Sequence, residues 1–198
     1  MKLLSLSSAL LSVAVSLSGC ALLGAGAPPL DTYDLSAPDA PEARGRSNTQ
    51  ILIAEPGALK ALDGQNIVIR TGPGAIQFLK GAQWADRLPL VVQAKLAQSF
   101  QAAGGFSGVG TPGEGLAIDY QVVCEIRAFE VRVGAGNQAH VEIYARVLND
   151  RNGTVRAAKV FRASSPVSGS GNDAFVRGLD AAFGTVGAEI VDWVDAQI

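Results

Sequence analysis

From Ile118 to Ala128 an apolar set, Ile118, Tyr120, Val122, Cys124, Ile126 and Ala128, alternates with a set that is polar except for Val123: Asp119, Gln121, Val123, Glu125 and Arg127. The apolar phase then slips by one, to Phe129, Val131 and Val133. A period of two held this long specifies an extended strand with one buried face, and the slip predicts a bulge near Ala128. The pattern repeats after Gly134-Ala135-Gly136, where Ala139, Val141, Ile143, Ala145 and Val147 alternate with His140, Glu142, Tyr144 and Arg146. The turn Asn149-Asp150-Arg151-Asn152-Gly153 reverses the chain into a third strand, Val155 to Ala163. Three long strands in a meander, each apolar on one side, require a second layer to cover that side.

Helix-period segments supply the cover. Val92, Leu96 and Phe100 recur every four residues in a helix expected over Trp84 to Ala103, with Asp86 as its cap and Pro89 in its first turn. Gly104-Gly105 ends it. A longer amphipathic helix, Asn172 to Ala196, carries the stripe Phe175, Leu179, Phe183, Val186, Ile190 and Trp193. Ahead of the first helix, Ile51 to Ala54 and Ile67 to Ile69 read as short strands. Thr71-Gly72-Pro73-Gly74 closes the second and Ala75 to Leu79 returns as a hairpin. Phe106 to Gly110 fits a further short strand. The fold class is α/β, with a mixed, largely antiparallel sheet and two main helices.

The chain begins differently. Lys2 precedes an uncharged stretch of Leu, Val, Ala and Ser from Leu3 to Leu17, too short to span a bilayer and right for a signal-peptide core. It ends in Leu17-Ser18-Gly19-Cys20, which matches the lipobox read by bacterial lipoprotein signal peptidase. That match implies cleavage between Gly19 and Cys20, a diacylglyceryl group on the Cys20 thiol and acylation of the new amine. Burial is worth about 0.8 kcal/mol per acyl CH2, and two or three chains hold a protein firmly where one does not. Ala21 stands where an aspartate would direct inner-membrane retention, so the outer membrane, facing the periplasm, is the favoured address; retention at the inner membrane stays open. Residues 20–49, with Pro28, Pro29, Pro38 and Pro41, read as a lipidated tether reaching roughly 100 Å when extended. Within it Tyr33-Asp34-Leu35 fits a short strand. The expected organisation is therefore a signal peptide over 1–19, the tether, and one domain over 50–198.

Composition closes several functional classes. Formal net charge is −2, and one unit lower once Lys2 is removed, without a basic cluster for nucleic acid. Of the two cysteines, Cys20 takes the lipid, leaving Cys124 as a small core residue with no disulfide partner. Gly108-Val109-Gly110-Thr111-Pro112-Gly113 spells G-x-G-x-x-G, but the segment after it, Leu116 to Val123, alternates like a strand where a dinucleotide site needs a helix start. His140, the single histidine, sits mid-strand in the polar phase and reads as a solvated residue, with no Gly-x-Ser-x-Gly elbow in the chain. One histidine and one free cysteine offer no metal-ligand spacing. Asn152-Gly153-Thr154 reads as a turn. No catalytic, cofactor or metal residue is expected; the covalent lipid on Cys20 is the only attached group.

Taken together, the lipobox ending at Cys20, Tyr33-Asp34-Leu35, Ile51-Leu52-Ile53, Ile67-Val68-Ile69-Arg70, Gln83-Trp84-Ala85-Asp86 before Leu88 and Leu90, and Asn152-Gly153 with Phe161 beyond it resemble the ABC-type transport auxiliary lipoprotein family. That family includes the lipoprotein of the paraquat-inducible Pqi system, and the resemblance runs from about residue 17 to the C-terminus. It implies a three-layer α/β sandwich like the anticodon-binding fold and the N-terminal domain of TolB. It also implies a non-enzymatic periplasmic accessory that works beside an ATPase, a permease and a mammalian-cell-entry (MCE) domain protein in moving lipid between the two membranes. The expected partners are those proteins, the outer membrane through the anchor, and phospholipid. The alternative is an envelope-assembly or structural lipoprotein that binds another envelope protein.

Overall fold

The structure, a computed structural model, describes residues 29–45, 47–134 and 136–198. The expected signal peptide over 1–19, with Gly19, and Cys20 lie outside them. The organising element is β7 (Tyr120–Arg132), a 13-residue strand that pairs along its whole length with antiparallel β8 (Gln138–Asn149), which pairs in turn with β9 (Val155–Pro166). Along the other edge of β7 three short parallel strands lie end to end. They are β2 (Gln50–Ile53), β3 (Gly57–Ala58) and β4 (Asn66–Gly72). Beyond β4 come its antiparallel hairpin partner β5 (Ala75–Trp84) and then β1 (Asp31–Tyr33), parallel to β5; beyond β2 lies β6 (Gly108–Gly110). The expected bulge is present: the β7–β8 register shifts between Ile126 and Ala128. One extra residue keeps Phe129 and Val131 on the buried face that Val122, Cys124 and Ile126 occupy before it.

Helices α1 (Leu88–Ala103) and α2 (Asn172–Asp195) cover that face. Val92, Leu96 and Phe100 of α1 and Leu179, Phe183, Val186 and Ile190 of α2 are fully buried, while Phe175 and Trp193 are half-buried at the margins. Trp84 meets Phe129 edge-on at 5.7 Å between ring centroids, and Phe129 meets Phe183 at 6.0 Å. Cys124 is buried among these residues and its thiol is pushed up to about 12 by burial.

The first helix starts later than its sequence suggests. Trp84 is the last residue of β5, its N–H donating to the Gln65 carbonyl, and its ring belongs to the sheet's core face. Asp86 does not cap the helix. Arg87 stands at the cap position without a side-chain bond, and the Leu88 N–H at the helix start donates to the Gly64 carbonyl instead.

The tether also differs from expectation. Residues 31–33 form β1, and the chain beyond it is docked in the groove between α1 and α2, with Leu35 and Pro38 buried. This strap is extended chain lying on helices that lie on the sheet. Among the described residues no helix is long and apolar enough to cross a membrane.

Candidate functional site

Two surfaces are built with more polar chemistry than a stable core requires. The first is the strap. Lys95 of α1 donates to Asp34 at 2.6 Å, the Ser36 N–H and hydroxyl both donate to the Asp180 carboxylate, and the Ser99 hydroxyl, itself buried, donates to the Pro38 carbonyl. At the far end the Arg44 N–H and guanidinium donate to Asp195 and Asp192. Tyr33, just before the strap, donates its hydroxyl to Asp173 at 2.5 Å; that bond, with some burial, raises the phenol to about 12. Gly187 of α2 permits the close approach. A Cβ there would overlap the Pro38 ring. The strap thus fixes where the leader end of the chain leaves the fold, at β1 against β5.

The second surface is the sheet face turned away from the helices. Here the outward residues of β4, β7, β8 and β9 form a network of neighbouring ion pairs. Glu130 on β7 has a side chain only 3% exposed and accepts from the Arg70 guanidinium at 2.7 and 2.8 Å and from Arg132 at 3.0 Å. Burial alone would raise its carboxyl; the two guanidiniums more than reverse this and hold it below the usual carboxylate range. Arg162 pairs with Glu142 at 2.7 Å. Tyr144 lies under two guanidiniums, Arg127 at 4.5 Å and Arg146 at 5.8 Å from its ring centroid.

His140 sits inside this network and is not the solvated residue its polar phase suggests. It is 9% exposed, and its Nδ1 lies 2.8 Å from the Ser164 hydroxyl directly across on β9. Burial, and then the nearby Arg132, lower the imidazole's pKa and favour the neutral ring. The geometry superficially resembles a nucleophile beside a base. The carboxylates nearby are already committed, Glu130 to Arg70 and Arg132 and Glu142 to Arg162, so the pair is a cross-strand hydrogen bond within an ionic lattice. Nor does the glycine motif meet a helix. Gly108–Gly110 is strand β6, and residues 111–119 form a loop leading into β7. Among the described residues no three histidine, cysteine or carboxylate side chains are grouped to hold a metal. Cys20 and Gly19, the predicted lipidation and cleavage residues, lie outside the described residues.

Residues 33–191 match the family described as the ABC-type transport auxiliary lipoprotein component. The chain belongs to this family. The match begins at Tyr33, the last residue of β1 and well before β2, so it takes in the strap. The auxiliary lipoprotein is also 32% identical over 179 residues to an uncharacterized protein of Bradyrhizobium diazoefficiens, covering 87% of this chain and 47% of that one. The chain therefore spans about half the length of that relative. A crystal structure of a Xanthomonas campestris protein has the same fold, with a TM-score of 0.78 and 24% identity over 84% of this chain and 95% of that one. A second solved structure, of an uncharacterized protein, superposes with a TM-score of 0.67 at 15% identity over 84% of this chain and 99% of that one. The family is one of lipoproteins auxiliary to ABC-type transport, which places the chain among membrane-anchored components of the cell envelope.

Proposed function

We propose that this auxiliary lipoprotein is acylated on Cys20, held at the outer membrane facing the periplasm, and serves an ABC-type transporter whose MCE-domain protein carries lipid between the inner and outer membranes. The observation that carries the reading is the family match over residues 33–191, joined in one chain to the leader ending Leu17-Ser18-Gly19-Cys20. The docked strap supports it, because a chain whose membrane-proximal segment is pinned to its own helices is built to be held in a set orientation. The protein contributes a platform; ATP is hydrolysed by the transporter's ATPase on the cytoplasmic side, and the permease and MCE-domain protein are its partners. Affinity purification of the full-length protein from membranes in mild detergent tests this, with mass spectrometry of co-purifying proteins and phospholipids. Recovery of an MCE-domain protein with its permease and ATPase is expected. Their absence, or unchanged membrane fractionation of Cys20→Ser with no palmitate incorporation into the parent, overturns the reading.

A further inference from the structure

The two ends of the sheet differ in charge. At one end lie the β8–β9 turn, with Asp150 and Arg151, and the neighbouring Asp119, which Arg151 pairs at 2.7 Å. At the other end three connections meet. These are the β4–β5 hairpin tip, the connection from β7 to β8 and the segment 167–171 after β9, which the Val167 N–H ties to the Asn137 carbonyl. Thr71 to Leu79, residues 133–137 and 166–171 contain no charged residue. Ile76 and Phe78 on the hairpin are 41% and 46% exposed, and Arg70 and Lys80 bracket the uncharged tip.

Strand direction decides what this end faces. β1 is parallel to β5, with Asp31 opposite Ala82 and Tyr33 opposite Trp84. The chain therefore enters β1 from the side toward which the hairpin tip projects, and the exposed Leu30 stands at that entrance. From Ala82 back to Ala75 the hairpin extends roughly 20 Å at about 3.3 Å per residue. Because the chain is fixed from β1 onward, the stretch joining Cys20 to the fold runs only from Cys20 to Asp31. That stretch spans no more than about 37 Å at full extension, against roughly 100 Å for an unpinned tether.

We infer that the uncharged end of the sheet, led by Ile76 and Phe78, rests on the surface of the bilayer that holds the Cys20 anchor. The inference deepens the anchored reading above and rests on it. An apolar tip with the exposed Lys80 beside it suits the interface, where aromatic side chains sit at headgroup depth and lysine keeps its charge in water. The charged end of the sheet is then directed into the periplasm.

The test uses the full-length lipidated protein reconstituted into vesicles of phosphatidylethanolamine and phosphatidylglycerol that contain a nitroxide-labelled phosphatidylcholine. Ile76→Cys, Phe78→Cys and, at the opposite end, Val155→Cys are each labelled with a thiol-reactive fluorophore. Cys124 is buried and unreactive, and Cys20 carries the lipid, so each variant bears one label. Val155 is 51% exposed and serves as the distant reference. Quenching several-fold greater at positions 76 and 78 than at 155 is expected. Protein that floats with the vesicles yet is quenched no more at 76 and 78 than at 155 overturns the contact alone. Protein that fails to float overturns the anchor, and the contact with it.

Discussion

The two faces of β7 achieve the same burial by opposite means. On the helix side, Phe129 and Val131 are covered by apolar side chains whose close fit Trp84 and Phe183 complete. On the other side Glu130, between them in sequence, is almost as inaccessible, but long arginine side chains cover it and satisfy it. The first kind of burial depends on volume and the second on charge. A change that ruins one face should therefore be tolerated on the other, and the response to pH should separate them.

Removing volume has the largest effect. Phe183→Ala empties the space against Phe129 and is expected to cost about 3–5 kcal/mol. That lowers the thermal midpoint by on the order of 10 °C in calorimetry, and a drop of only a degree or two would mean the helix layer is not what holds this face. Glu130→Gln comes next, at about 1–3 kcal/mol, because Arg70 and Arg132 are each partly exposed and regain water when their carboxylate goes. Its sign with pH is fixed by the lowered carboxyl. The native state binds that proton more weakly than the unfolded chain, so the stabilisation is full above about pH 5 and is lost as pH falls through the folded value. Denaturant titrations of the parent and Glu130→Gln should converge on acidification from pH 6 to pH 3; parallel curves would remove Glu130 from the ionic account.

Gly187→Ala tests the strap, on a surface that belongs to neither sheet face. The new methyl cannot coexist with the docked Pro38 ring. An expected cost of about 1–3 kcal/mol should come with faster tryptic cleavage at Arg44 and an otherwise intact domain. Equal cleavage rates would mean the strap accommodates the methyl in place. The smallest effect is expected from Arg162→Ala, whose guanidinium is largely in water, so the thermal midpoint should not move measurably.

Alternation was readable wherever neighbours in sequence carry the information. The phase slip after Ala128 locates the bulge, and the fourfold spacing of Val92, Leu96 and Phe100 locates the buried side of α1. What sequence could not supply were partners brought in from far along the chain. Pro38 and Ala40 look like linker by composition, and only the distant Ser99, Asp180 and Gly187 make the strap a docked element. Asp86 looked like a cap because nothing local shows that Gly64 provides the acceptor for the Leu88 N–H. His140 sits in the polar phase, and a polar phase implies solvent unless a neighbouring strand supplies Ser164 and the arginines around it. The match to a lipobox at Cys20 is different again: it is a pattern of four residues that another enzyme would read, and it carries no information about the fold.

The parallel pairing of β1 with β5 also sets the mechanics of the molecule. A pull on the leader end runs along the axis of β1, so its ladder with β5 is loaded in shear, all rungs at once, and cannot be peeled open one rung at a time. Behind it the strap's bonds to α1 and α2 take up load only after the ladder slips. A tug on that end would therefore meet a two-stage mooring, stiff first and yielding second, before the tension reached the core.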